Sequence, residues 1–289
     1  MHILVTGAYG QLGSEINALK SEFSNLSILF TDVDSLDITN EKDVEAFFAS
    51  KSIDVVVNCA AYTAVDKAET DKESAHLINA VAPGILAKQA DRIDAKFIHI
   101  STDYVFDGQA CVPYNEKDKV DPQGIYGKTK LEGEQNVLNF NPNSIIIRTS
   151  WLYSAFGNNF VKTMLRLGAE KSEISVVFDQ VGTPTYAADL ARAILKIIGL
   201  IKINESSFVP GIYHYSNEGV ASWYDFSKCI FERSDFECRV FPVLSNQFPT
   251  PAKRPAYSVL DKSKIKNTFN LQIPYWKDSL QLCLNRLQK

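Results

Sequence analysis

The stretch HILVTGAYGQLG, residues 2–13, joins an apolar β-type run to three glycines that precede a helical pattern. Gly7, Gly10 and Gly13 follow one another at three-residue intervals. A strand that turns sharply into a helix needs glycines there, because its backbone must come close to a pyrophosphate held by the N–H groups at the helix start. The spacing is GxxGxxG rather than the commoner GxGxxG, so the glycines alone also fit a tight structural turn.

An acidic residue ends the next apolar run, LSILFTD, residues 26–32. Asp32 lies 19 residues after Gly13, and a spacing of about 20 is typical of the carboxylate that binds a ribose hydroxyl. The two features together predict a dinucleotide-binding site. A carboxylate there accepts from a free 2′-hydroxyl and repels a 2′-phosphate. No Arg or Lys occurs from Thr31 to Asn40, so the sequence favours NADH over NADPH, although a basic residue from elsewhere could alter this preference.

Short apolar runs recur along the chain, with helical patterns after the first, third and fourth of them and between the last two. The runs cover residues 2–7, 26–32, 54–60, 96–102, 144–150, 174–179 and 211–217. Such runs are typical of parallel strands buried on both faces, with helices covering the sheet from both sides. We predict an α/β protein with a Rossmann-type, doubly wound parallel sheet and a smaller C-terminal substrate-binding lobe. Residues 1–150, continued by 176–218, would form the dinucleotide-binding domain, and 151–175 with 219–289 the lobe.

The composition narrows the class of protein and its setting. The chain has 289 residues, 45% of them hydrophobic, and a net charge of −4, which argues against nucleic acid as a partner. No apolar run approaches the ~20 residues that a bilayer span needs, and the N-terminus lacks the basic region of a signal peptide. Five widely spaced cysteines fit a reducing compartment. We therefore expect a cytoplasmic protein with no membrane partner, as a monomer or homodimer.

The pattern Tyr-x-x-x-Lys occurs twice, as Tyr126/Lys130 in YGKTK and as Tyr224/Lys228 in SWYDFSKCIF. Residues four apart share one face of a helix. The first pair follows a predicted strand that ends on a hydroxyl, Thr102, and loops after strand ends line the ligand crevice of such sheets. The second pair is expected to lie at the edge of an amphipathic helix. We predict that Thr102, Tyr126 and Lys130 are catalytic.

The chemistry that suits these three residues is the reduction of a ketone, in which a proton must reach the oxygen as hydride reaches the carbon. Tyr126 is predicted to be the general acid. The pKa of a free tyrosine, about 10, lies about 3 units above neutrality, so a neighbouring cation must supply roughly 4 kcal/mol. Lys130 is predicted to be that cation and to hold the nicotinamide ribose, and Thr102 is predicted to donate to the substrate oxygen.

Several stretches resemble the extended short-chain dehydrogenase/reductases, among them TGAYGQLG (6–13), NCAAYT (58–63), STDYVFDG (101–108) and YGKTK (126–130). Others resemble the dTDP-4-dehydrorhamnose reductase family nearly end to end: VDKAE (65–69), YGKTKLEGE (126–134), RTSWLY (148–153), GNNFVKTMLRL (157–167) and DQVGTPT (179–185). The resemblance implies NAD(P)H-dependent reduction of dTDP-4-dehydro-L-rhamnose to dTDP-L-rhamnose, a precursor of bacterial surface polysaccharide.

The resemblance also implies site residues. Contact with the cofactor is implied for Gly7, Gln11, Leu12, Asp37, Ile38, Ala60, Ala61, Thr63 and Asn79. Contact with the nucleotide sugar is implied for Thr102, Asp103, Val105, Trp151 and Arg254. Trp151 could instead be a core residue; the functional hypothesis is that a sugar ring stacks on its indole. Arg254 could instead be a surface charge; the functional hypothesis is that its guanidinium binds the diphosphate.

Two departures and two alternatives bear on this function. Some family members bind Mg²⁺ through acids in the helix after GTPT, but here that helix has Ala187 and Ala188 with only Asp189 acidic, so no metal is predicted. Sugar-nucleotide dehydratases carry Thr-Asp-Glu where this chain has Tyr104 as the third residue, which disfavours dehydration. One alternative is that the substrate is another nucleotide-linked 4-ketosugar. The other is that the protein is a regulatory subunit of the same fold that binds nucleotide without turnover, like the related subunit of methionine adenosyltransferase. Such subunits often lack the Tyr or the Lys of the Tyr-x-x-x-Lys pair.

Overall fold

A computed structural model describes residues 1–288, which form twelve β-strands and eleven α-helices. The strands are β1 His2–Thr6, β2 Ser27–Thr31, β3 Val55–Asn58, β4 Lys96–Thr102, β5 Ser144–Thr149, β6 Leu152–Tyr153, β7 Glu173–Val177, β8 Val181–Gly182, β9 Thr185–Tyr186, β10 Gly211–His214, β11 Ala221–Ser222 and β12 Arg239–Val243. The helices are α1 Gln11–Leu19, α2 Glu41–Ser50, α3 Val65–Ala68, α4 Lys72–His76, α5 Ala82–Arg92, α6 Ile125–Phe140, α7 Phe160–Glu170, α8 Ala187–Ile203, α9 Trp223–Glu232, α10 Ser263–Phe269 and α11 Trp276–Leu287.

Six strands form the central sheet in the order β10-β5-β4-β3-β1-β2, and every neighbouring pair is parallel. Apolar side chains from one sheet face pack with α1, α8 and α10, and those from the other face pack with α2, α5 and α6. The prediction of a Rossmann-type, doubly wound sheet is thus confirmed. The chain order reverses at β1, which lies between β2 and β3, and ligands of such sheets bind at this point, outside the strands' carboxyl ends.

Helix α2, which follows the second strand, was not predicted from the sequence. Asn40 caps its N-terminus, since the Asn40 side chain accepts from the backbone N–H groups of Lys42 and Asp43 at 3.1 and 3.4 Å. In α2 only Val44 and Phe48 are buried. Charged residues at the start of the helix leave only a short apolar stripe, too weak a pattern to predict a helix from the sequence. The structure identifies the stripe because these residues pack on α5 and the sheet.

The apolar run at residues 174–179 was expected to begin the return of the chain to the dinucleotide-binding domain. It does form a strand, β7, but β7 pairs with β12 in a separate two-stranded sheet. Its residues are mostly half-buried or exposed, whereas every residue of β5 is buried. An apolar run alone does not distinguish a central strand from a half-exposed one, because partner strands decide which faces are covered.

Helices α7, α9 and α11 pack around Phe226 and Trp276 to form a second apolar core outside the central sheet. These helices fall within the ranges predicted for the lobe. By contrast, α10 lies in the predicted lobe range but packs Ile265 and Phe269 into the core of the main sheet. The exact division of the chain into two domains remains a prediction. Among residues 1–288, no helix has both the length and the apolar character required to span a bilayer.

Candidate active site

The glycine turn between β1 and α1 leaves no room for side chains. Gly7 has a φ of +68°, and a Cβ added to it would lie 2.6 Å from the backbone N of Ala60. A Cβ on Gly13 would lie 2.3 Å from the Gly7 carbonyl oxygen. Gly10 is the N-cap of α1, and no side chain caps that end of the helix. The N–H groups of the first turn are therefore open to a phosphate, and a dinucleotide pyrophosphate fits this cradle.

Asp32 follows β2 directly and is fixed beside the glycine turn. Its Oδ2 accepts from the backbone N–H of Tyr9 at 2.8 Å, and its Oδ1 accepts from that of Val33 at 2.9 Å. The Tyr9 hydroxyl donates to a second carboxylate, Asp34, at 3.1 Å. Two negative charges therefore stand at the place where Rossmann folds receive the adenosine ribose.

One cavity of about 890 Å³ runs from the glycine turn to the strand ends at the centre of the sheet. Most of the residues predicted from the sequence line it: Gly7, Gly10, Gln11, Leu12, Asp32, Asp37, Ile38, Ala60, Ala61, Thr63, Thr102, Asp103, Tyr126, Lys130, Trp151 and Arg254. The same wall thus carries the predicted cofactor, catalytic and substrate residues. This continuity is what a hydride transfer between two bound molecules requires.

Three predicted residues lie behind the cavity wall. Gly13 packs under the glycine turn. Asn79 is buried, and its amide accepts from the backbone N–H of Tyr62 at 2.8 Å and donates to the Tyr62 carbonyl at 3.0 Å. Val105 is buried in a small apolar cluster with Phe106. Their expected contacts with ligands remain predictions, and the structure gives each of them a supporting position.

The three predicted catalytic residues converge at the end of β4. Thr102 is the last residue of β4, and Tyr126 and Lys130 lie in the first two turns of α6. The Thr102 hydroxyl donates to Asp103 Oδ1 at 3.0 Å. Lys130 is only 2% exposed, and its Nζ donates to the Ile100 carbonyl at 2.7 Å. Burial lowers the pKa of Lys130 to about 8.

The structure does not show the expected lowering of the tyrosine pKa by the lysine. Burial raises the pKa of Tyr126, and a hydrogen bond with Thr102 opposes this rise. Lys130 is directed to the Ile100 carbonyl instead of the phenol. In this state Tyr126 is fully protonated at neutral pH, which is the form that a general acid needs before it donates.

The second Tyr-x-x-x-Lys pair lies elsewhere, as predicted. Tyr224 and Lys228 are on α9, outside the cavity wall, and α9 buries Phe226 and Ile230 on its opposite side. Lys228 is 46% exposed and lies 4.0 Å from Glu232. The pair therefore belongs to the surface of an amphipathic helix.

A guanidinium is fixed in the wall of the cavity. Arg254 donates to Asp66 Oδ2 at 2.6 Å and to the Tyr104 hydroxyl at 3.1 Å. Asp66 also accepts from the backbone N–H of Ala252 at 3.2 Å, which holds the proline-rich segment in place. Asp66 and Tyr104 fall within family motifs, but neither was assigned a role at the site from the sequence. The contact between Asp66 and Arg254 joins residues 188 positions apart, so the local sequence around either residue does not predict it.

Trp151 also lines the cavity, in a strained backbone conformation. Its φ is +46°, a region that bulky residues rarely occupy. Its indole stacks on that of Trp223, with 3.5 Å between ring centroids and an interplanar angle of 7°. Both indoles line the cavity. From the sequence, Trp223 was placed only on an apolar helix face, since its proximity to Trp151 depends on how α9 packs in the lobe.

Asp103 is a buried acid in the cavity wall, 2% exposed, beside Thr102. Burial raises the pKa of its carboxyl to about 6. Cys59 lies near Lys130, and burial raises the pKa of this thiol to about 12, so it is protonated and uncharged. Among residues 1–288, no cluster of His, Cys, Asp and Glu has the arrangement of a metal site.

A doubly wound sheet with a glycine turn at its switch point, and a Tyr-x-x-x-Lys pair facing a strand-end hydroxyl, defines the class of short-chain dehydrogenase/reductases. Residues 1–289 match the family described as RmlD substrate binding domain. A dTDP-4-dehydrorhamnose reductase from Clostridium acetobutylicum is 47% identical, with a TM-score of 0.94 and 100% of each chain covered. The chain therefore belongs to the dTDP-4-dehydrorhamnose reductase family.

Two further relatives inform the choice of cofactor and substrate. A dTDP-4-dehydrorhamnose reductase from Bacillus anthracis, solved in complex with NADP, is 39% identical over 99% of each chain, with a TM-score of 0.93. A protein from Streptomyces antibioticus is named a probable dTDP-4,6-dihydroxy-2-methyloxan-3-one 4-ketoreductase. It is 41% identical, and the match covers 97% of this chain and 94% of the relative.

Proposed function

We propose that this enzyme reduces the 4-keto group of dTDP-4-dehydro-L-rhamnose to give dTDP-L-rhamnose, with NADH or NADPH as reductant. The observation that carries the proposal is the single cavity that joins the glycine turn, the Thr102–Tyr126–Lys130 cluster and Arg254. Full-length similarity to reductases of this name supports the choice of substrate. The intact Tyr and Lys argue against a binding-only subunit.

The bound nicotinamide cofactor supplies the hydride in this reaction. Tyr126 is protonated in the free protein and donates its proton to O4 of the sugar. Thr102 turns its hydroxyl from Asp103 to the same oxygen and so provides a second donor. Lys130, as a cation, stabilises the phenolate that remains on Tyr126 after proton transfer.

Arg254 and Trp151 are proposed to bind the parts of the substrate that do not react. A guanidinium pairs two N–H groups with phosphate oxygens, and Asp66 and Tyr104 already hold this one in a fixed direction. The Trp151 indole is stacked on Trp223, and the part of it that lines the cavity is proposed to contact the sugar ring. Binding energy from these remote contacts orients C4 towards the hydride donor.

The cradle described above fits a nicotinamide dinucleotide, with the pyrophosphate at Gly10, Gln11 and Leu12 and the adenosine ribose at Asp32. We propose that NADH binds at least as well as NADPH, because Asp32 and Asp34 both repel a 2′-phosphate. The NADP complex of the Bacillus anthracis relative makes this preference worth measuring.

Asp32→Ala should abolish any preference for NADH over NADPH. Removing the carboxylate deletes an acceptor for the 2′-hydroxyl and a charge that repels the 2′-phosphate, so the ratio of the two dissociation constants should change by about tenfold or more. Fluorescence titration with each cofactor measures both constants. Asp43→Ala, on the exposed side of α2, is the control and should leave the ratio unchanged. Tenfold tighter binding of NADPH by the unmutated protein would contradict the electrostatic argument.

The substrate assignment is tested by coupling the reductase to a 3,5-epimerase that generates dTDP-4-dehydro-L-rhamnose in place. NADH oxidation should require the epimerase, since the proposed substrate is the epimerised 4-ketosugar. Rapid oxidation of NADH by the unepimerised 4-ketosugar alone would refute the rhamnose assignment. Product identity follows from mass spectrometry and NMR of the dTDP-sugar.

A second candidate is the reduction of a different nucleotide-linked 4-ketosugar. The Streptomyces antibioticus relative, named for such a substrate, is about as similar in sequence to this chain as the Bacillus anthracis reductase is. A panel of dTDP- and UDP-linked 4-ketosugars, compared by kcat/KM, separates the two candidates. We further propose that the enzyme acts in the cytoplasm without a metal, as a monomer or homodimer; its five free cysteines fit a reducing compartment.

A further inference from the structure

A buried ion pair lies directly beneath the catalytic cluster. Glu134 on α6 and Arg148 on β5 are each 2% exposed, and they are joined by two hydrogen bonds, Arg148 Nε to Oε1 at 2.9 Å and Nη2 to Oε2 at 2.7 Å. The hydroxyl of Ser101 donates to the same Oε1 at 2.5 Å. Burying two charged groups away from water costs free energy. A buried pair beside the site therefore points to a role in the site.

Glu134 lies on the same face of α6 as the predicted catalytic residues. Tyr126, Lys130 and Glu134 are four residues apart and therefore stack along one face of the helix. This face of α6 forms two hydrogen bonds with the end of β4. Lys130 donates to the Ile100 carbonyl, and Glu134 accepts from Ser101, the residue before Thr102. The ion pair with β5 adds a third element to the arrangement.

We propose that Glu134 is a positioning residue for the reduction, which holds Ser101 and hence Thr102 against α6 and keeps the Lys130 amine protonated. The inference rests on the proposed reductase activity. Its first part follows from the hydrogen bonds to Ser101 and Arg148, which connect α6, β4 and β5 at the level of Thr102. Its second part follows from the placement of a carboxylate one helical turn from a buried amine.

The groups that face Lys130 come from three elements. Cys59 follows β3 and is an uncharged thiol, and His99 in β4 is neutral, since burial lowers its pKa well below the usual range. Tyr126, on α6, is a protonated phenol. Glu134 is the carboxylate of this set. Burial lowers the pKa of Lys130, and the charge of Glu134 opposes this change.

The direction of the pH effect follows from the role of Lys130 as a cation. The rate should fall as pH rises through the pKa of Lys130, which burial places at about 8. Without the charge of Glu134 this pKa should fall further, so the alkaline limb of the kcat profile should move to lower pH. A purely structural role, in which Glu134 only neutralises Arg148, would not move that limb.

The test compares Glu134→Gln with the double variant Glu134→Gln/Arg148→Met. The single variant leaves a buried guanidinium without its anion and could fail to fold, whereas the double variant removes both charges at once, a change that buried ion pairs often tolerate. In the single variant, we expect the alkaline limb of kcat to move by about one pH unit or more towards acid. In the double variant, the loss of the Arg148 charge opposes this shift, so the limb should move in the same direction by a smaller amount. Glu132→Gln is the matched control: it lies on the same helix but is exposed and pairs with His76.

A separate readout uses the free protein, without cofactor or substrate. Labelling of amines by acetic anhydride at a series of pH values, quantified by peptide mass spectrometry, gives the apparent pKa of Lys130 directly. This pKa should be about one unit lower in the single variant, and lower by a smaller amount in the double variant, than in the wild type or in Glu132→Gln. Glu134→Asp, which keeps the charge, should retain the wild-type limb even where its kcat is reduced.

A double variant with wild-type kcat, limb and labelling pKa would overturn the inference, because Glu134 would then serve only to neutralise Arg148. An unchanged labelling pKa with a reduced kcat would also overturn the second part of it. These outcomes are distinct from failure of the proposed function, in which the wild type itself would not reduce any ketosugar while the labelling experiment still reported on Lys130.

Discussion

Tyr126→Phe should lower kcat by about 10²-fold or more, while the dissociation constant for NADH stays within about twofold of the wild-type value. The change removes one hydroxyl from a side chain that lies beside Thr102 at the centre of the cavity. With no proton donor at O4, the hydride would have to generate an unprotonated alkoxide, and Thr102 would be left as the sole donor. Steady-state kinetics and cofactor titration measure the two quantities separately.

Tyr224→Phe is the matched control, since it makes the same change in the other Tyr-x-x-x-Lys pair. That pair lies on the surface of α9, so kcat should remain near the wild-type value. Equal losses of activity in the two variants, or none in either, would show that the geometry at the end of β4 does not identify the general acid. Thermal unfolding of both variants excludes a loss of folded protein as the cause.

Arg254→Ala should raise the KM for the nucleotide sugar by about 10- to 100-fold, with little change in the dissociation constant for NADH. Hydrogen bonds to charged groups contribute about 1.5–3 kcal/mol, and about 1.4 kcal/mol corresponds to a factor of ten. Arg254 lines the cavity, and Asp66 and Tyr104 direct its guanidinium. kcat should fall as well, because remote binding energy orients the reacting carbon.

Lys253→Ala tests whether the geometry of the guanidinium or only local positive charge is responsible. Lys253 is the neighbouring cation, and its Nζ donates to Gln123 at 3.3 Å on the surface. We expect its removal to change KM by less than about twofold. A similar increase of KM in both variants would indicate nonspecific attraction of the diphosphate. Asp66→Asn should produce a smaller increase than Arg254→Ala, since the guanidinium remains but loses its orienting partner.

Local sequence predicted much of the fold because its signals are short-range. The glycine spacing at residues 7–13 reflects close backbone approaches that exclude any Cβ, and these distances are visible in the structure at Gly7 and Gly13. Strands β3, β4 and β5 of the central sheet are recognisable as apolar runs because both of their faces are covered. Helix α2 was missed because its apolar stripe is narrow. The position of β7 outside the central sheet was missed because its apolar run resembles that of a central strand until its partner, β12, is known.

By itself, the sequence determined the doubly wound architecture. It also predicted the place of the dinucleotide cradle and the choice of Tyr126 over Tyr224 as the general acid, since each rests on spacing along the chain and on which element precedes it. Only the tertiary structure decided that Trp223 stacks on Trp151, that Asp66 and Tyr104 direct Arg254, and that Glu134 pairs with Arg148 next to Ser101. It also decided that Lys130 reaches the Ile100 carbonyl rather than the phenol. The physical reason is that these contacts join segments far apart in the chain, or depend on burial that raises or lowers a pKa, and both are set by packing rather than by neighbouring residues.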